Sequence, residues 1–200
     1  MTMISATTMA QNKFSKEAFV SQNGDTLLYR QLQPKSIDTS TKYPLVLFLH
    51  GAGERGNDNQ VQLQHGANMF TNPVNQNKYP TFALFPQCPT NSFWAPINSE
   101  GAKDESFFPY NDPMPATLEA VKELLDTFID NNPIDPNRIY IMGLSMGGMG
   151  TFDMVCRYPQ LFAAAIPICG GVNTQRLQEI ETSTSFRIFH GDADAVVPVT

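Results

Sequence analysis

Gly143-Leu144-Ser145-Met146-Gly147 spells G-x-S-x-G, a serine spaced between two glycines. A serine hydroxyl attacks a carbonyl when a neighbouring base takes its proton. On its own the string is a modest signal, since roughly one random chain in fifteen of this length would carry it. Its surroundings raise it sharply. Arg138 to Met142 reads as a buried strand and Met146 to about Arg157 as a glycine-rich helix. The serine therefore sits on a strand-to-helix turn, where a strained backbone lifts Oγ above the sheet edge. Side chains two residues before and after would collide in so tight a turn, which accounts for both glycines. Gly148 and Gly150 are expected to let the helix approach the sheet. The competing reading is an ordinary serine in a glycine-rich turn.

A nucleophile needs donors for the oxyanion that it creates. His50-Gly51-Ala52-Gly53-Glu54-Arg55-Gly56 follows the apolar strand Tyr43 to Leu49. A glycine-rich loop there can aim a backbone N–H at the developing charge. Ala52 N–H is assigned as one donor and Met146 N–H as the other; each such donor is typically worth about 3–4 kcal/mol in the transition state. Residues 51–56 also spell G-x-G-x-x-G. Dinucleotide binding would need a helix opening inside that string and an acidic residue about 20 positions on. No Asp or Glu occurs from Met69 to Phe85. Asn57-Asp58-Asn59 instead reads as a cap for a helix after the string. Glu54 and Arg55 are read as a loop-bracing ion pair, with substrate positioning as the alternative, and His50 as structural.

The third requirement is an acid to orient the base and stabilise its charged form. Phe186 to His190 reads as a strand that runs into Gly191-Asp192-Ala193-Asp194-Ala195-Val196-Val197-Pro198. By chemistry alone Asp192 and Asp194 are both candidates, and turn capping is the alternative role for either.

Together these segments resemble the α/β-hydrolase superfamily. Within it they are similar to bacterial carboxylesterases related to the prolyl-oligopeptidase catalytic domain, a group described as predicted peptidases, phospholipases or feruloyl-type esterases. The likeness rests on HGAGERG at 50–56, PQCP at 86–89, NRIYIMGLSMGGMGTF at 137–152, FAAAIPICGG at 162–171 and FHGDADAVVP at 189–198. The resemblance implies a three-layer α/β fold with a mostly parallel central sheet. It also implies that H-G-x-x-D-x-x-V-P carries the catalytic acid at its D, here Asp194, with His190 structural. The base of the superfamily follows one more strand, and none of His50, His65 and His190 matches it. Either the chain is a fragment of a working enzyme or the natural protein lacks the base; the fragment reading is favoured. The expected reaction is hydrolysis of carboxylic esters through an acyl-enzyme. A serine peptidase or thioesterase on the same scaffold and a catalytically dead binding module are the alternatives. Phenolic or acetyl esters on plant polysaccharide are a substrate class that the resemblance suggests.

The chemistry requires elements to position it. Lys16 to Val20 and Thr26 to Leu32 read as strands joined at Asn23-Gly24. Tyr43 to Leu49, Thr81 to Phe85 and Ala163 to Ile168 are apolar runs of strand length, as expected of strands covered on both faces. Asp112 and Pro113 fit the start of a helix that carries Leu118, Val121, Leu125 and Phe128 on one face and stops at Asn131-Asn132-Pro133. Asp135-Pro136-Asn137 reads as a turn into the nucleophile strand. Residues 87–112 form a long irregular excursion with Phe93, Trp94, Phe107, Phe108 and Tyr110, which either walls a pocket or packs as a satellite core. The chain is read as one domain over residues 16–200 that lacks its last strand and helix. Residues 1–15 are read as a disordered lead or a signal-peptide remnant, which slightly favours a secreted or periplasmic location.

Composition narrows the partners. A net charge of −6 argues against nucleic acid or anionic membrane. No apolar run reaches membrane-spanning length. Cys88, Cys156 and Cys169 have no ligand spacing and read as buried free thiols. Acyl transfer by serine needs no cofactor and no metal. The expected partner is a small-molecule or polysaccharide-linked ester.

Overall fold

The computed structural model describes residues 13–98, 107–181 and 183–199. Seven strands build one sheet: β1 Ser15–Val20, β2 Thr26–Leu32, β3 Tyr43–Leu49, β4 Phe82–Pro86, β5 Ile134–Leu144, β6 Ala164–Ile168 and β7 Ser185–Phe186. Their order across the sheet is β1-β2-β4-β3-β5-β6-β7. β1 and β2 form an antiparallel hairpin, and β2 pairs antiparallel with β4. The remaining pairs are parallel. The hairpin turns at Gly24, whose φ of +86° is a left-handed conformation that favours glycine. Helices α1 Ala67–Thr71, α2 Pro73–Lys78, α3 Ala116–Asn131, α4 Met146–Arg157 and α5 Thr174–Glu179 link the strands.

Alternation along the strands assigns each side chain to a face. Leu45, Leu47, Leu49, Ile139 and Ile141 share a core with Leu118, Val121 and Leu125 of α3 and Met154 and Val155 of α4. Phe48, Ala83 and Phe85 pack on the other face against Phe14, Leu63, Ala67 and Phe70. This is a three-layer α/β-hydrolase arrangement, the sheet lying between α3 and α4 on one side and the 61–78 segment on the other. The fold takes in residues from the end of the expected lead: Phe14 is buried edge-on against Phe85, and Ser15 opens β1. Residues 1–12 lie outside the described residues.

Four expectations shift. Helix α3 begins at Ala116, not beside Asp112, and its N-cap is Pro115. Proline disfavours helical backbone in the residue before it, so Pro115 delays the start. The Asp112 carbonyl instead accepts from Arg157 Nη2 at 2.9 Å. Asp135-Pro136-Asn137 bulges within β5: Tyr43 and Leu45 face Ile134 and Ile139, so three extra residues loop outward. The helix expected after residue 59 is a single 3-10 turn, Val61–Leu63, with Asp58 Oδ1 accepting from Gln60 N and Val61 N. The strand expected over 186–190 pairs regularly only at Ser185–Phe186, although Arg187 N and Phe189 N still donate to Ala165 O and Pro167 O.

The register brings the chemistry together. Leu49 lies beside Gly143, Leu144 beside Ile168, and Ile168 beside Phe189. The segments that follow β3, β5, β6 and β7 therefore leave from one edge of the sheet, where open α/β sheets place their sites.

Candidate active site

The chain turns most sharply at Ser145, whose φ of +54° and ψ of −114° lie outside the regions that an L-residue favours. Such strain costs on the order of 1–3 kcal/mol and persists only where the surroundings fix it. Here Ser145 N donates to Ile168 O at 2.8 Å and Ser145 O accepts from Met149 N at 3.1 Å. A Cβ on Gly143 would lie 2.1 Å from Gly147 O, and one on Gly147 would lie 2.0 Å from Leu49 O. Both glycines are thus steric necessities where the first turn of α4 meets the ends of β5 and β3. Gly148 meets Ile168 O and Gly170, as its expected role requires. Gly150 does something else as well: it makes room for Trp94, whose Cβ would be 2.5 Å from an added methyl.

Ser145 is half-buried and opens on a cavity of about 360 Å³ that Ala52 and Met146 also line. Ala52 is the first residue of a 3-10 turn, Ala52–Glu54, and Met146 the first residue of α4. Each N–H is by position without an intrahelical acceptor. No α-helix opens within residues 51–56, only the 3-10 turn, so that string lacks the geometry of a dinucleotide site.

The loop that carries Ala52 is fixed from below. His50 Nδ1 donates to Gly51 O at 2.6 Å and its Nε2 accepts from Cys88 N at 2.9 Å. Burial pushes the pKa of His50 down to about 4, so the ring is neutral with both nitrogens committed. Trp94 Nε1 donates to His50 O at 3.0 Å, and the two rings meet edge-on. Arg55 braces the loop from above, donating to Ala52 O through Nε and to Ser92 O through Nη1 while its guanidinium lies over Phe93. The expected Glu54–Arg55 pair does not form. Glu54 is buried and faces His65, at 3.5 Å, because the 3-10 turn points residues 54 and 55 in different directions.

The segment after β7 reaches the same cavity through His190, Val196 and Val197. Asp194 Oδ1 accepts from Val196 N at 2.8 Å and Val197 N at 3.0 Å, so this carboxylate does cap its turn. Its Oδ2 lies 3.6 Å from His190 Nε2. His190 Nε2 itself donates to Val197 O at 2.7 Å and closes the loop. Asp192, the other acidic candidate, is exposed.

The aromatic excursion divides between its two expected roles. Trp94 is fully buried in the main core. Phe93, Phe107 and Phe108 line the cavity, whereas Tyr110 faces a separate, polar depression. No disulfide joins the cysteines. Cys88 is buried, with its thiol pushed up to about 12 by burial; Cys156 and Cys169 are only half-buried, and burial raises Cys156 to about 11. Among the described residues no cluster of His, Cys, Asp or Glu could hold a metal ion, and no helix is long and apolar enough to cross a membrane.

The model of the phospholipase/carboxylesterase family matches residues 36–200. The chain belongs to that family. A thermostable esterase of known structure is 40% identical, with a TM-score of 0.80 over 95% of this chain and 49% of its own. Poly(3-hydroxyalkanoate) depolymerase C of Paucimonas lemoignei is 29% identical over 133 residues, covering 64% of this chain and 28% of the depolymerase. A protein of Oryza sativa subsp. japonica named "Probable carboxylesterase" is 27% identical over 175 residues, 78% of this chain and 69% of that protein. The chain spans about half of the esterase and about a quarter of the depolymerase.

In this phospholipase/carboxylesterase chain, sequence reasoning missed two features of the site: Trp94 holds the loop at His50, and Cys169 turns at the end of β6 with φ +42°. The one tryptophan, inside an irregular segment, was the available signal for the first, and nothing local marks the second. Arg55 braces the loop as expected, but through Ala52 O and Ser92 O rather than through Glu54.

Proposed function

We propose that this chain carries the nucleophile, the oxyanion donors and the acid of a serine esterase that hydrolyses carboxylic esters. Ser145 attacks the ester carbonyl, and the N–H groups of Ala52 and Met146 receive the negative charge. The ester's alcohol leaves, and water then releases the acid from Ser145. Asp194 orients the imidazole that takes the Ser145 proton and returns it to the leaving alcohol. None of the three histidines suits that role. His50 has both nitrogens engaged, His65 faces Glu54 on the other side of the oxyanion loop, and His190 Nε2 donates to Val197 O. The base is therefore assigned to sequence beyond residue 200.

One observation carries this reading: a strained Ser145, wedged between two sterically required glycines, opens on a cavity lined by Ala52 and Met146. The esterase and depolymerase names of its relatives support an ester as substrate. Residues 1–200 alone are expected to be nearly inactive, because loss of the base in a serine enzyme costs about a million-fold in turnover. The full-length protein should label with a fluorophosphonate and hydrolyse 4-nitrophenyl esters, and Ser145→Ala should abolish both. Labelling that survives Ser145→Ala removes the serine from the reaction. The base-free geometry of these 200 residues also fits a binding module, which would show neither labelling nor hydrolysis in any length of the protein.

A further inference from the structure

The cavity at Ser145 has an unusual wall. Phe108 lies so close over the backbone at Gly171 that an added Cβ would be 2.4 Å from its Cζ and 2.6 Å from its Cε2. Gly171 lies three residues after the last strand position of β6, in the chain that leaves the sheet edge. The ring is held from other directions too. Asn173 Nδ2 donates to Phe108 O at 3.1 Å, and the same asparagine caps α5 through Gln175 N. Phe107 packs edge-to-face on Phe108 with centroids 5.1 Å apart, and its carbonyl accepts from Asn98 N. An aromatic ring from one irregular segment is thereby seated on the chain that leaves β6.

What this wall encloses is apolar. Ile97, Met149, Val172 and Val196 complete it, and among the described residues no Asp, Glu, Lys or Arg lines the cavity. The one ionisable ring there, His190, has its Nε2 committed to Val197 O. Away from the Ala52 and Met146 N–H groups, a charged group would lose its water without gaining an ionic partner among the described residues.

We propose that the Phe108 ring, seated on Gly171, is the specificity wall of this cavity, and that the cavity takes the uncharged hydrocarbon arm of the ester. This assignment rests on the reading of Ser145 as the nucleophile. Phe108 is a specificity-determining residue, and Gly171 is the position that allows it. Each buried methylene of the arm should tighten binding roughly fourfold. Sugar or anionic portions of a substrate lie outside this cavity.

The test uses the full-length protein and two readouts. Calorimetry with unreactive amides reads the cavity without chemistry: 4-phenylbutanamide should bind at least tenfold tighter than acetamide or the anion glutaramate. Gly171→Ala and Phe108→Ala should each weaken the phenyl amide at least fivefold, while circular dichroism checks that each variant is folded. Phe108→Leu decides the matter if either of them fails to fold, and it too should weaken the phenyl amide. Phenyl amide binding no tighter than that of acetamide, or unchanged in every folded variant, overturns the proposal. Methyl 4-phenylbutyrate and 3-phenylpropyl acetate, compared with methyl acetate, then report whether the arm belongs to the acid or the alcohol; equal kcat/KM for all three also overturns it. The two readings fail differently. Amide binding without fluorophosphonate labelling of Ser145 sinks the esterase reading, and with it the ester as occupant. Labelling without amide selectivity sinks the wall alone.

Discussion

The two halves of the site are built by different means. At the ends of β3 and β5, backbone lies against backbone: Gly147 touches Leu49 O, Gly143 faces Gly147 O, and His50 spends both ring nitrogens on main-chain groups. At the end of β7, a short loop is folded by the side chains of Asp194 and His190, and regular pairing has already stopped. The difference suits the roles proposed for each half. A nucleophile and an oxyanion donor need fixed placement to within a fraction of an ångström, which dense packing supplies. A carboxylate that acts through an intervening imidazole needs only its own orientation, which two N–H donors supply.

Substitutions can sharpen or break this contrast. The largest effect is expected from Ser145→Ala in the full-length protein, a fall of about a million-fold in kcat on a 4-nitrophenyl ester with the melting temperature retained. Asp194→Asn should come next, at about ten-thousand-fold. The amide oxygen still caps the turn, so this variant should fold. If Asp194→Asn costs no more than Asp192→Asn, the acid has been assigned to the wrong residue.

Gly147→Ala tests the packed half. A methyl placed 2.0 Å from Leu49 O forces the first turn of α4 off the sheet, and denaturant unfolding should show a loss of at least about 3 kcal/mol. An alanine tolerated there within 1 kcal/mol would mean that the elbow is not held by backbone contact.

His50 gives that half a pH signature. Its folded pKa of about 4 lies below the 6.5 of an unperturbed imidazole, so between these values the unfolded chain binds a proton that the folded chain does not. Stability from this group is present above pH 6.5 and is lost as pH falls towards 4. The loss is at most about 3 kcal/mol. Urea midpoints measured from pH 7.5 to 4 should therefore fall more steeply in the parent protein than in His50→Gln. The smallest effect belongs to Asp192→Asn, exposed and in a turn, which should move stability by less than about 0.5 kcal/mol and activity by less than threefold.

The same contrast explains what could be read in the sequence. The elbow was legible because sterics leave only glycine at positions 143 and 147, and because unbroken apolar strands flank it. β3 and α4 fall where their patterns put them, Tyr43–Leu49 and Met146–Arg157. By chemistry alone the loop after β7 offered a choice between Asp192 and Asp194, since hydrogen bonds to main-chain N–H groups leave no repeating pattern, and only the resemblance favoured Asp194. The start of α3 was misread because Asp112-Pro113 mimics a helix start, while Pro115 three residues later overrides it. The excursion was read evenly between wall and core, and it is both: Trp94 is core, and Phe93, Phe107 and Phe108 are wall.

The sequence by itself determined the order of the strands and of the two long helices, α3 and α4, the turn at Ser145 and the glycine-rich loop before Glu54, but not the short helices α1, α2 and α5. These are local consequences of periodicity and of which residues a tight backbone admits. Only the tertiary structure decided which face of the sheet each helix covers, that Arg55 braces Ala52 while Glu54 turns to His65, and that Phe108 rests on Gly171. Those contacts join residues far apart in the chain, and distance along a sequence carries no record of distance in space.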